Sequence, residues 1–233
     1  MIPMPRTVAI IQARTGSTRL PRKAVARALG RPLLELMLER VKRAHSLDEI
    51  VLATTTLARD DELVGIARDQ GVATFRGSEE DVLSRYAGAA RAERAEVIVR
   101  LTADCPLLDP AVVDRVVAAY EDRDAHTDLL TNAPPRGRSF PDGMDVEVFT
   151  AETLESVERL ASTPADREHV TRRLHYAPFR CEVVHLDPPA GSVRVTVDDP
   201  DDLERVRAIF EDLYPHNPTF GLLDVLCWVG HAK

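Results

Sequence analysis

The apolar residues of this chain follow two alternating rhythms. Short β-branched runs, the pattern of a buried strand, occur at Thr7 to Gln12, Glu49 to Thr54, Val72 to Phe75 and Glu96 to Thr102. Between them, apolar residues recur at helical spacing from Leu33 to Val41, Asp60 to Gln70 and Asp81 to Glu93. Pro32 suits a first helical position, and Gly71 suits the end of the second helix. Pro110 opens another predicted helix, to about Tyr120. The second half is less regular. It predicts strands at Asp128 to Thr131, Asp145 to Phe149, Cys181 to Leu186 and Ser192 to Val197. It also predicts helices at Ala151 to Leu160, Arg167 to Tyr176 and Leu203 to Leu213, the last opening near Pro200, and a short one in the apolar tail from Phe220 to Gly230. Regular strand–helix alternation implies an α/β fold, with a parallel sheet covered by helices on both faces. The chain has no long linker, low-complexity stretch or repeat, so we expect one domain over residues 1–233, with about 132–190 as an insertion-like lobe.

Ligands of such sheets bind beyond the carboxyl ends of the strands, which directs attention to three strand ends. The first strand runs into Gln12-Ala13-Arg14-Thr15-Gly16-Ser17-Thr18-Arg19-Leu20-Pro21-Arg22-Lys23. A glycine-containing loop can bring backbone N–H groups close to phosphate oxygens, and Arg14, Arg19 and Lys23 add fixed positive charge. The GxxxxGK[ST] spacing of a P-loop is absent, and alone the segment could be a basic surface loop. The other two ends share the pattern R-x-T-x-D-x-P: Arg100 to Pro106 and Arg194 to Pro200. Each places a carboxylate, Asp104 or Asp198, just past an expected strand. Either aspartate alone reads as a turn or N-cap residue. As a pair beside a phosphate loop, they read as hard oxygen ligands for Mg2+. No GxSxG elbow, HExxH or Cys–His pairing is visible, which fits phosphoryl-type transfer, where positioning and charge do the chemistry.

Charge sharpens this picture. The 233 residues carry net −8, yet residues 1–43 hold ten Lys or Arg against Glu35 and Glu39, so that segment is +8 and the remainder −16. An acidic protein with one cationic segment suits a small polyanion better than a nucleic acid. No apolar run approaches membrane-helix length and the N-terminus is no secretory signal, so a cytoplasmic location without membrane contact is expected. Cys105, Cys181 and Cys227 have neither disulfide nor zinc spacing and read as buried small hydrophobes. Trp228 reads as a core or dimer contact.

These motifs, in this order, resemble a known family. The loop QARTGSTRLPRK is similar to the QARMGSTRLPGK signature of the spore-coat-polysaccharide type (SpsF-like) cytidylyltransferases, relatives of the CMP-ketodeoxyoctonate and CMP-sialic acid synthetases. The similarity continues through IVLATTTLARDDEL, FRGSEEDVLSRY, IVRLTADCPLLDP, FPDGMDVEVF, REHVT and VRVTVDDPDDLERV, and so covers Val8 to about Ile209. It implies a Rossmann-like nucleotidyltransferase fold: a mostly parallel twisted sheet with helices on both faces and a smaller acceptor and dimerisation insertion. It also implies transfer of CMP from CTP to a sugar or sugar-acid acceptor, Mg2+ as cofactor, and a homodimer.

The resemblance assigns roles residue by residue. Gln12, Ala13, Arg14, Gly16, Ser17, Arg19 and Lys23 match the loop that holds the triphosphate. Arg76, Gly77 and Ser78 match a stretch near the base and ribose. Asp104 and Asp198 match the Mg2+ carboxylates, with Asp104 also on the nucleotide side. Arg14, Arg19, Lys23, Asp104 and Asp198 are the catalytic set. Asp142, Asp145, Glu147, Glu168 and His169 match acceptor-side motifs. His169 could orient the acceptor, accept its proton, or serve as a structural histidine. An acidic acceptor would need a cation, and Arg136 and Arg138 are candidates, although both could be solvated loop charges. Arg22 stands where the family usually has glycine, so its side chain must point away or add a contact. A nucleotide-sugar glycosyltransferase and a non-catalytic assembly partner are the competing readings at this stage.

Overall fold

The computed structural model describes residues 5–123 and 126–231. Strand β1 (Thr7–Gln12) is the third strand of a seven-stranded sheet. It pairs in parallel with β4 (Glu49–Thr55) on one side and β6 (Val97–Thr102) on the other, and β4 pairs in parallel with β5 (Ala73–Gly77). Antiparallel β8 (Glu147–Thr150) follows β6, and then come β7 (Leu129–Thr131) and β9 (Cys181–Val183). The sheet is thus mostly parallel, as expected. Strands β8 and β9, from the segment anticipated as an insertion, belong to this same sheet.

Period-two alternation divides the core between the two faces. Ala9 and Ile11 of β1 join Leu52, Val99 and Leu101 under α1 (Leu33–Val41), α4 (Pro110–Glu121) and α7 (Pro200–Leu213). Val8 and Ile10 join Val51, Ala53 and Ile98 under α3 (Val82–Ala92) and α5 (Ala151–Leu160). Side chains buried on both faces explain why β1 reads as an unbroken apolar run rather than an alternating one. Helix starts follow capping chemistry: Asp81 accepts from Ser84 N, Thr150 from Thr153 N, and Asp199 from Asp202 N ahead of Pro200. The remaining helices are α2 (Asp61–Asp69), α6 (Pro164–Glu168) and α8 (Leu222–His231).

Several local expectations are corrected. The helix predicted from Arg167 to Tyr176 is instead α6 followed by a 3-10 turn at Arg172–His175. A Thr163–Asp166 capping box starts the helix early, and His169 leaves helical geometry at φ −106 and ψ 84. The segment Ser192 to Val197 is extended but is not a ladder strand. Its β pairing is one bridge, Asp142 to Arg194, where Gly143 at φ 110 brings the two backbones together. A small hairpin was not anticipated: β2 (Arg27–Ala28) and β3 (Arg31–Pro32), joined by Leu29 and Gly30, both at positive φ. Cys105 is buried as expected, whereas Cys181 is half-buried and Cys227 exposed, so neither of these two is the buried hydrophobe anticipated. Among the described residues, no helix is long and apolar enough to cross a membrane.

Candidate active site

The loop after β1 is held from beneath by a buried carboxylate. Asp60 accepts from Thr15 N at 2.8 Å, from Thr15 Oγ1 at 2.6 Å and from Thr55 Oγ1. Burial raises the Asp60 carboxyl, but these donors outweigh it and hold the group below its ordinary value. Arg22 N then donates to Thr15 O at 2.9 Å and closes the loop back on itself. Arg22 lies at φ 62, which explains the family's glycine there, and its guanidinium points away to Glu62. Lys23 follows in a 3-10 turn and reaches back over the sheet edge.

The two aspartates, far apart in sequence, meet at that lysine. Lys23 Nζ lies 2.9 Å from Asp104 Oδ2 and 2.9 Å from Asp198 Oδ1. Backbone bonds set the meeting: Asp104 O accepts from Val197 N at 2.8 Å and from Thr196 Oγ1 at 3.1 Å, which ties the Asp198 segment to the end of β6. Arg19 adds a contact to Asp198 Oδ1 at 3.0 Å, and Arg194 one to Asp198 Oδ2 at 2.9 Å. Burial works against the Asp198 charge, yet Lys23, Arg194 and Arg19 hold its carboxyl below the usual range. The Lys23 ammonium is held above its ordinary value, since Asp104 and Asp198 outweigh the burial that opposes its charge. Cys105 Sγ lies 3.7 Å from Asp104 Oδ1.

Two cavities meet at this cluster. The first, about 390 Å3, is lined on one side by Gln12, Ala13, Arg14, Ser17, Arg19 and Lys23. Its other wall includes Arg85, Arg100, Asp104, Asp198, Glu168 and His169. The second, about 250 Å3, shares Arg100, Thr102, Asp104 and Asp198 with the first and adds Asp142, Asp145, Glu147 and Thr196. Arg14 lines the first cavity, donates to Glu79 O at 3.4 Å and lies 4.0 Å from the Glu79 carboxylate and 3.9 Å from that of Glu168.

Other expected residues lie elsewhere. Gly16 does not line the cleft; a Cβ there would press on Glu79 Oε1 at 2.9 Å and Arg59 at 3.0 Å. Arg76, Gly77 and Ser78 do not line it either. Arg76 donates to Thr55 O and Leu57 O and pairs with Asp61. Gly77 leaves room for Arg85, and Ser78 O accepts from Arg85, so this stretch seats an arginine that does line the cleft. Glu168 and His169 border the first cavity, not the second. Arg136 is exposed and lines neither cavity. Arg138 is partly buried, with both nitrogens on Asp145 and a 3.6 Å contact to Asp142.

Sequence reasoning overlooked Arg85, Arg100 and Arg194. Arg100 pairs with Glu147, which also accepts from Thr171 Oγ1 at 2.9 Å and meets His175 at 3.4 Å. Burial opposes ionisation of Glu147, but Arg100 and His175 bring it down to about 2. Burial likewise opposes the His175 charge, and Cys181 and Glu147 together raise it to about 9. A signal for two of these arginines was present: Arg100 and Arg194 are the first letters of the two R-x-T-x-D-x-P segments.

The sequence profile of the family described as cytidylyltransferase matches residues 8–187. The chain belongs to the cytidylyltransferase family. It is therefore an enzyme of the nucleotidyltransferase class, which separates it from the glycosyltransferase and non-catalytic readings. It is 35% identical over 212 residues to the spore coat polysaccharide biosynthesis protein SpsF of Bacillus subtilis, covering 87% of this chain and 85% of that one. A solved cytidylyltransferase from Leptospira borgpetersenii matches 98% of this chain and 95% of its own, at TM-score 0.93 and 31% identity. The synthetase CMP:2-keto-3-deoxy-manno-octonic acid synthetase, solved with CTP, shares the fold at TM-score 0.66 and 20% identity, over 88% of this chain and 98% of that one. This cytidylyltransferase thus has the nucleotidyltransferase fold anticipated from its motifs.

Proposed function

We propose that this enzyme transfers the CMP part of CTP to a hydroxyl of a sugar-type acceptor, with release of pyrophosphate and with Mg2+ as cofactor. One observation carries the reading: a cation-rich cavity and a carboxylate-rich cavity share a wall at Asp104 and Asp198. The first suits a triphosphate, and the second suits an acceptor.

In this reading Arg14, Arg19 and Lys23 bind the triphosphate. Lys23 and Arg19 exchange their carboxylate partners for phosphate oxygens and stabilise the pyrophosphate as it leaves. The donor set fits a hard divalent cation. Two carboxylates already share one cationic group, and among the described residues no cationic group contacts Asp104 Oδ1. Asp104 and Asp198 would hold the ion, which would offset charge on the phosphate oxygens. The attacking hydroxyl oxygen forms a bond to the α-phosphorus, the bond from that phosphorus to the bridging β-oxygen breaks, and the hydroxyl proton passes to solvent. Glu168 and His169 act from the nucleotide side, since they border the first cavity. Asp142, Asp145 and Glu147 face the acceptor.

The test is a thermal-shift titration with each nucleoside triphosphate and Mg2+, followed by a pyrophosphate-release assay over sugar acceptors. Selective stabilisation by CTP is expected, because a ligand of the native state raises stability by mass action. Equal shifts with all four triphosphates would remove the assignment to CTP.

A further inference from the structure

Donor and acceptor must meet where the two cavities meet, because the acceptor oxygen attacks the α-phosphorus. The wall that both cavities share is formed by Arg100, Thr102, Asp104 and Asp198. Arg100 is the one cationic side chain among these described residues. Arg14, Arg19 and Lys23 border the first cavity and not the second. In the reading above, Arg19 and Lys23 serve the departing pyrophosphate. Arg100 is then the cation placed beside the phosphate that is attacked.

The fold holds Arg100 for such a role. It stands on β6 directly opposite Glu147 of β8 in the antiparallel register, so the two side chains leave the sheet as neighbours. Nη1 donates to Glu147, and Gln12 Oε1 lies 3.4 Å from Nη2. Nε is buried, with no hydrogen-bond partner among the described residues. A guanidinium carries five N–H donors, so its pairing with Glu147 leaves donors to spare. Nor does Glu147 cancel the positive charge. His175 faces the same carboxylate at 3.4 Å. Burial opposes its charge, yet Cys181 and Glu147 raise it to about 9. At neutral pH one carboxylate is therefore shared by two cations, and the group of three keeps one net positive charge. Thr171 Oγ1 also donates to Glu147, at 2.9 Å, and so helps to fix the carboxylate behind the arginine.

We infer that Arg100 holds the α-phosphate of the bound nucleotide and stabilises the charge on its non-bridging oxygens during transfer, with Glu147, Thr171 and His175 as positioning residues behind it. This rests on the function proposed above and adds a catalytic residue to that site. As the acceptor oxygen bonds to phosphorus, the bond to the bridging β-oxygen breaks and pyrophosphate leaves, while the hydroxyl proton passes to solvent. Fixed donors aimed at such oxygens in a largely buried site act with little reorganisation. Asp104 and Asp198, the carboxylates expected to hold Mg2+, share the same wall, so the arginine acts alongside the metal ion and not in its place.

The test is isothermal titration calorimetry with CTP, CMP and cytidine in the presence of Mg2+, on the native protein and Arg100→Gln. CMP keeps the α-phosphate and lacks the other two. Arg100→Gln should weaken CTP and CMP by the same factor, about tenfold or more, the usual scale for a lost hydrogen bond to a charged group. Cytidine affinity should stay within about twofold. Unchanged CMP affinity in the folded variant, or a loss confined to CTP, overturns the inference. So does an equal loss for cytidine, which is the result a merely structural role would give. Should Arg100→Gln fail to fold because Glu147 has lost its partner, the double variant Arg100→Gln, Glu147→Gln removes both charges and carries the same comparison. A native protein that binds no CTP sinks the proposed function itself. Native CTP binding with unaltered CMP affinity in the variant sinks this inference alone.

Discussion

Replacing Lys23 by methionine removes the one group that joins Asp104 to Asp198 while keeping most of the side-chain volume. Lys23 Nζ lies 2.9 Å from an oxygen of each, and the three side chains are only 17%, 29% and 17% exposed. Two carboxylate oxygens each 2.9 Å from one nitrogen lie no more than about 5.8 Å apart, where unit charges repel by about 3 kcal/mol at an effective dielectric constant near 20. Arg19 and Arg194 still engage Asp198, and partial exposure screens the pair, so about 1–2 kcal/mol is a fair net loss. For a chain of this size that lowers Tm by roughly 2–8 °C. The assay is thermal unfolding in EDTA, repeated with millimolar Mg2+ and no nucleotide. The native protein should gain little from the ion, because the ammonium already occupies the space between the carboxylates. Lys23→Met should recover most of its loss, and the double variant with Asp104→Asn should not. Equal Mg2+ shifts in the native and Lys23→Met proteins would refute the claim that these two carboxylates form the metal-binding pair.

Three further outcomes follow from the same geometry. Asp104→Asn should keep the fold and lose about a hundredfold or more in turnover, the size of an electrostatic contribution at a reacting phosphate; steady-state pyrophosphate release measures it, and near-normal turnover rules out the role. Arg136→Ala should leave the acceptor KM unchanged, while Arg138→Ala should lower stability by about 1–3 kcal/mol in denaturant unfolding, since it strips Asp145 of both its arginine bonds. His175 is raised from 6.5 to about 9, so the stability it confers is complete below pH 6.5 and fades as pH climbs through about 9. The Tm of the native protein should therefore fall more steeply over that interval than the Tm of His175→Gln; parallel curves would contradict the Glu147 pairing.

The first half of the fold was legible because its strands are buried on both faces. Thr7 to Gln12 carries the apolar run Val8 to Ile11, Glu96 to Thr102 carries Val97 to Val99 and Leu101, and their helices carry clear caps and breakers. The second half depends on contacts that periodicity does not encode. Ser192 to Val197 alternates like a strand, yet it is held by Asp142 and Asp104 backbone atoms rather than by a ladder. Arg167 to Tyr176 has helix-forming residues, but Asp166 draws Arg172 and Arg173 toward itself, and the chain turns at His169. Local propensity is a weak prior wherever such charge clusters decide the path.

The site was legible at its charged ends and obscure in its pairing. Arg14, Arg19, Lys23, Asp104 and Asp198 were identifiable because they follow strand ends, and all five line the first cavity. That Lys23 would stand between two aspartates 81 and 175 residues away was not, since no local pattern reports a contact of that range. Arg136 and Arg138 look equivalent in the sequence, two arginines in one Pro- and Gly-rich loop. The fold separates them: Arg138 turns inward onto Asp145 and Asp142, and Arg136 stays in solvent. A positive charge in an acceptor loop is therefore no evidence for an anionic acceptor until its partner is known. Here the partners are Asp145 and Asp142, two carboxylates that line the second cavity, so the Arg138 guanidinium is already engaged by that wall.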